Sequence, residues 1–91
     1  MELKKFDIVD FLETDEELVL YLNEALKYND PKFFAEALGD VARAKGMTAI
    51  SDAAGLGRQA LYRSLSSEGN PRLDTLFKVL ATLNVRLAVT Q

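Results

Sequence analysis

Residues 47–65, MTAISDAAGLGRQALYRSL, decide the fold. Their spacing predicts a short helix from Thr48 that stops at Gly55, one apolar residue, Leu56, and a second helix from about Gly57 to Leu65. Ile50 and Ala54 lie four apart and share a face of the first helix; Leu61 and Leu65 do the same on the second. Gly55 opens the left-handed backbone that a tight inter-helix turn needs, and Leu56 plugs the space between the helices. This is a helix-turn-helix pattern, and the outer face of its second helix carries Arg58, Gln59, Tyr62 and Arg63. Arg and Gln have the paired donors and acceptors that match guanine and adenine edges in the major groove. The stretch reads as a DNA-binding module.

The rest of the chain is consistent with such a module. Its 91 residues, 48% of them apolar, suffice for one domain with one core and exclude a disordered or fibrous chain. The absence of Cys and His removes disulfides, thiol chemistry and the usual nitrogen or sulfur metal ligands, and fits a reducing cytoplasm. No cofactor is expected. The opening MELKKFDIVDF has no apolar run of signal-peptide length, and no stretch approaches a membrane span. The net charge of −3 conceals a division. Through Asp40, four Lys face eleven acids, a balance of −7; from Val41 on, seven Lys and Arg face three acids, a balance of +4. An acidic first half and a basic second half point to two different partners, against the plainer reading of surface charge segregated by chance.

Taken in order, Asp7 can cap a first turn over Ile8–Leu12. Thr14 and Glu17 then match a capping box and predict a helix from Asp15 to Tyr28. Leu18, Leu22, Ala25 and Leu26 form its core stripe, which leaves Val19, Leu20 and Tyr21 needing a second packing surface, inside the domain or on a partner. Asp30 caps and Pro31 opens a helix that ends at Gly46, with Phe34, Leu38, Val41 and Ala42 buried and Gly39 marking a close helix crossing. Asn70 and Pro71 predict the start of the last helix, with Leu73, Leu76, Phe77, Leu80, Ala81 and Leu83 as its apolar face and Asn84 as a left-handed stop. The end, Val85 to Thr90, alternates like a strand. An isolated strand is unstable, so it pairs with a second copy across a two-fold axis or with a partner's sheet, or else it is a frayed tail.

These motifs carry a resemblance. YLNEAL at Tyr21–Leu26, Asp30-Pro31, ALGDVARAKGM at Ala37–Met47, LYRSLSSEGNPRLDTLFKVL at Leu61–Leu80 and the closing NVRLAVT resemble the lambda-repressor-like, Xre-type helix-turn-helix antitoxins, in particular the addiction-module antidote proteins related to HigA. The resemblance spans essentially the whole chain. It implies a protein that neutralises a small ribonuclease-like toxin of the RelE/ParE superfamily and represses their shared promoter. The sequence departs from the pattern at Gly57, where a Ser cap is expected, at Ser51, usually Ala, and at Ser64, often aliphatic.

The expected architecture is all-α: a lambda-repressor-like core over 31–84 that binds DNA, an acidic N-terminal helical extension over 1–30 that meets the toxin, and a short β-strand over 85–91 that dimerises. The candidate DNA-binding residues are Lys45, Thr48, Gly57, Arg58, Gln59, Tyr62, Arg63 and Arg72. Arg58 and Gln59 read bases near the head of the recognition helix, Thr48 caps the preceding helix, whose amides can hold a phosphate, and Lys45 and Arg72 add sequence-independent attraction. Val19, Leu20 and Tyr21 are candidates for toxin contact, and Val85, Leu87 and Val89 for dimerisation. Operator DNA, a small basic toxin and a second copy are the expected partners, with no membrane. Without His or Cys, and with the acids in caps or on outer faces, no enzyme is expected. The alternative is a phage-type or housekeeping repressor with no toxin, or a helical interaction module that no longer binds DNA.

Overall fold

Local signals set the boundaries of the first two helices. The structure, a computed structural model, describes residues 12–91. The turn expected over Ile8–Leu12 lies outside them, apart from Leu12, which is buried. Helix α1 spans Asp15–Leu26 and opens with the full capping box: the Glu17 amide donates to the Thr14 hydroxyl, and the Glu17 carboxylate accepts from the Thr14 and Glu13 amides. Those amide bonds hold the Glu17 carboxyl below its ordinary range. It ends two residues earlier than predicted, and Asn29 then takes a left-handed conformation (φ 54°). Helix α2 spans Pro31–Lys45, with the Asp30 carboxylate accepting from the Lys32 and Phe33 amides and Pro31 in the first turn.

Three shorter helices follow: α3 (Met47–Ala54), α4 (Arg58–Ser64) and α5 (Leu73–Thr82). The described residues form these five helices and no strand. The described residues are thus all-α. Helix α1 packs on α2, α2 on α3, and α3 on both α4 and α5. Leu38, Val41, Leu61 and Val79 are the largest side chains wholly enclosed by this packing. Gly39 is the point of closest approach, but the neighbour is the backbone of Leu65, which ends α4, rather than another helix shaft. No helix among the described residues is long and apolar enough to cross a membrane.

Three expectations are corrected. Helix α5 begins at Leu73 with Arg72 as its cap, so Pro71 lies in the extended lead-in and Asn70 caps nothing. The turn before it is held by Gly69, whose amide donates to the Ser66 carbonyl and whose missing Cβ admits the Arg63 and Ser64 carbonyls. On α5 the buried residues are Val79 and Leu80, with Leu76 partly covered, while Leu73, Phe77 and Ala81 face solvent. Leu83, just past the helix, is buried as expected, so the core takes the Leu76, Val79, Leu80 and Leu83 stripe, which keeps the Leu76, Leu80 and Leu83 side of the expected face and turns away from Leu73, Phe77 and Ala81. The tail after Asn84 (φ 61°, the left-handed stop) is extended but forms no strand. Its alternation is spent on the protein's own helices: the Val85 amide donates to the Leu80 carbonyl, its side chain packs on the core, and Leu87 lies beside Val19, Leu22 and Leu26.

Candidate functional site

The turn between α3 and α4 is closed by backbone geometry and one hydroxyl. Gly55 is left-handed (φ 70°), and its amide donates to the Asp52 and Ser51 carbonyls. The Leu56 amide donates to the Ser51 carbonyl at 3.0 Å, and the Ser51 hydroxyl donates back to the Leu56 carbonyl at 2.7 Å. Ser51 is 7% exposed, the one buried polar residue among those described, and this reciprocal pair satisfies it. It clamps the end of α3 to the start of the next helix. A serine on the buried face of a short apolar helix, five residues before the plug at Leu56, is the sequence signal for that role.

Helix α4 is then seated by very little. Of its seven residues only Leu61 is buried, assisted by Leu65 at its end. Gly57 heads it in an extended conformation with no side-chain cap. Arg58, Gln59, Tyr62 and Arg63 are all exposed. Thr48 is placed differently from expectation. Helix α3 begins one residue earlier, at Met47, with Gly46 as its cap, so Thr48 sits inside the first turn and caps nothing. Its hydroxyl oxygen accepts from Arg58 Nη1 at 2.9 Å, bridging the two helices on their solvent side. Lys45 and Arg72 each carry an ion pair: Lys45 Nζ lies 3.1 Å from Asp15 Oδ1, and Arg72 Nε lies 3.1 Å from Asp74 Oδ1. The Arg72 guanidinium holds the Asp74 carboxyl below its ordinary range. Both pairs are exposed, where such contacts are weak and readily exchanged for another anion.

A second surface lies on α1. Leu20 is 65% exposed, with Val19 and Leu26 part-exposed beside it. The tail runs along this face, so the residues singled out for partner contact and for dimerisation meet. Leu20 and Leu26 line one side of an open groove of about 740 Å³, and Val89, fully exposed, lines the other. Tyr21 does not belong with Val19 and Leu20. Its ring packs against the core, and its hydroxyl donates to Asp40 Oδ2 at 2.6 Å, while Asp40 Oδ1 accepts from Arg43 Nη2. Burial, reinforced by the Asp40 carboxylate, pushes the Tyr21 hydroxyl well above its ordinary pKa. The described residues contain no group of three or more acids suited to hold a metal ion.

A family model described as "Probable addiction module antidote protein" matches residues 2–91. The chain belongs to that family. It is also 43% identical over 90 residues to an "Uncharacterized protein" of Haemophilus influenzae strain Rd, covering 99% of this chain and 93% of that one. No solved structure matches. Membership of the antidote family supports an antitoxin role and implies a toxin partner in general terms. Within that frame the chain offers two open surfaces, one polar on α4 and one along α1 and the tail in which Leu20, Leu26 and Val89 stand among polar and charged side chains.

Proposed function

We propose that the chain is the antitoxin of a type II toxin–antitoxin module. In this reading it neutralises a small basic toxin of the RelE/ParE kind and represses its own operon by sequence-specific binding of duplex DNA, as a cytoplasmic, HigA-related protein of the Xre type. The observation that carries the DNA half is α4: one buried leucine holds it, and Arg58, Gln59, Tyr62 and Arg63 stand together in solvent just after a clamped turn. Helices α3 and α4 then act as a lambda-repressor-like helix-turn-helix within residues 31–84, with Arg58 and Gln59 on base edges and Tyr62 and Arg63 on edges or phosphates. Gly57 lets the duplex approach the head of α4. Thr48 lies at the α3 N-terminus, whose amides have no side-chain cap and remain available to a phosphate. Lys45 and Arg72 exchange their carboxylates for phosphates and add charge attraction that ignores sequence.

The toxin half rests on the exposure of Val19 and Leu20 within the acidic first 30 residues. A basic partner is steered there by charge and held by apolar contact. A homodimer completes the reading, because a seven-residue recognition helix reads few base pairs and two copies about one helical turn (~34 Å) apart read a palindrome. Leu87 and Val89 are the exposed part of the tail through which copies associate, with Val85 anchoring it to its own core.

Selection of duplexes from a random pool, followed by affinity measurement, tests the DNA half. Arg58→Ala is expected to cost roughly 1–3 kcal/mol on the selected duplex and far less on random DNA. Lys45→Ala is expected to weaken all duplexes alike and flatten the salt slope by about one unit. Equal loss on both duplexes for Arg58→Ala removes it from base reading. For the toxin half, the product of the neighbouring reading frame is co-expressed: a small basic chain that co-purifies with wild type and is lost with Leu20→Glu supports the reading, and its absence favours a repressor without a toxin.

A further inference from the structure

We propose that Thr48 is a positioning residue for Arg58, selecting which edge of the guanidinium meets the DNA; this rests on the DNA-binding reading above. Arg58 is the first residue of α4, exposed, and long enough to occupy many rotamers. The hydrogen bond from its Nη1 to Thr48 Oγ1, at 2.9 Å, ties it to a residue ten positions earlier on another helix. Because the guanidinium is planar, holding one nitrogen restricts the whole plane. A guanine is read by two parallel donors on one edge of that plane, either Nε–H with Nη2–H or Nη1–H with Nη2–H. Thr48 engages Nη1, and among the described residues nothing accepts from the Nε–Nη2 edge, which stays available as a fork.

The holder is itself fixed. Thr48 sits in the first turn of α3 beside buried Met47, and threonine is stiff at χ1 because it is branched at Cβ. The spacing between α3 and α4 is set by the reciprocal Ser51–Leu56 hydrogen bonds. Thr48 acts on base choice through Arg58 without touching a base. Both residues are exposed, so the pair contributes little to the fold and is available to recognition.

The test compares wild type, Thr48→Val, Thr48→Ser and Arg58→Ala on duplexes that the wild-type chain selects from a random pool, and on every single-base variant of them. Thr48→Val is near isosteric and removes the acceptor. It is expected to lower discrimination by about tenfold at the single base pair where Arg58→Ala abolishes it, a guanine. The loss is confined to that base pair, and the melting temperature stays as in wild type. Thr48→Ser restores discrimination, and Thr48→Val has no further effect when Arg58 is already Ala. Full discrimination in Thr48→Val, or a loss spread over all base pairs or persisting in the Arg58→Ala background, overturns the proposal while leaving DNA binding intact. Failure of the wild-type chain to select any duplex overturns the proposal together with the reading on which it rests.

Discussion

Replacing Gly39 by alanine sets two effects against each other with opposite signs. Gly39 lies in the middle of α2, where helix propensity alone favours alanine by about 1 kcal/mol. A Cβ at this position would land on the carbonyl oxygen of Leu65 and crowd the rest of that residue. The obstacle is backbone rather than the yielding tip of a side chain, so the end of α4 has to move. Overpacking of this kind costs about 1–3 kcal/mol, and a rigid neighbour puts the cost in the upper half of that range. The net expectation is destabilisation by about 1–2 kcal/mol, a fall in melting temperature of about 4–8 °C for each kcal/mol in a chain this size. Urea unfolding with an unchanged m value measures it directly. Gly57→Ala is the control, since a Cβ there meets nothing within 4 Å and the backbone (φ −69°) suits any residue. A Gly39→Ala protein that is more stable than wild type would show that α4 does not press on α2 and would refute the packing described.

The other expectations are more local. Ser51→Ala removes the clamp on the turn and leaves the Leu56 carbonyl without its donor; it is expected to cost about 1 kcal/mol in urea unfolding, and to weaken sequence-selective DNA binding more than random binding. Tyr21→Phe loses the bond to Asp40, again about 1 kcal/mol near neutral pH. The raised Tyr21 pKa means that its share of stability is complete below about pH 10, the free tyrosine value, and is lost as pH climbs toward the folded value, so the two proteins should converge on the alkaline side. Asp15→Ala releases Lys45 and should raise affinity for random duplex while steepening its salt dependence; no change in either would mean that Lys45 does not meet phosphate.

What could be read in the sequence was whatever depends on near neighbours. The Thr14–Glu17 box, the Asp30–Pro31 start, the Gly55 turn and the Asn84 stop each satisfy backbone groups within four residues, so their types and spacing fix the geometry. Asn70–Pro71 has the same form as Asp30–Pro31 and failed because the buried Gly69 turn, a packing effect, delays α5 by two residues. Helix α5 carries two apolar stripes, and which one turns inward is decided by the approach of α3, invisible in the string of letters. The tail alternates as a strand would, but a helix face met it before any sheet did. At the candidate site, the open face of α4 was legible from four polar residues around one leucine. The Thr48–Arg58 bond was not, because it joins residues on different helices and depends on α3 starting at Met47.

Since Leu61 alone roots α4 in the interior, substitutions at positions 58, 59, 62 and 63 alter little besides the surface they present. This face can therefore change in sequence without compensatory repair in the core. On the proposed DNA-binding function, chains of this architecture that differ only at these four positions select different duplexes.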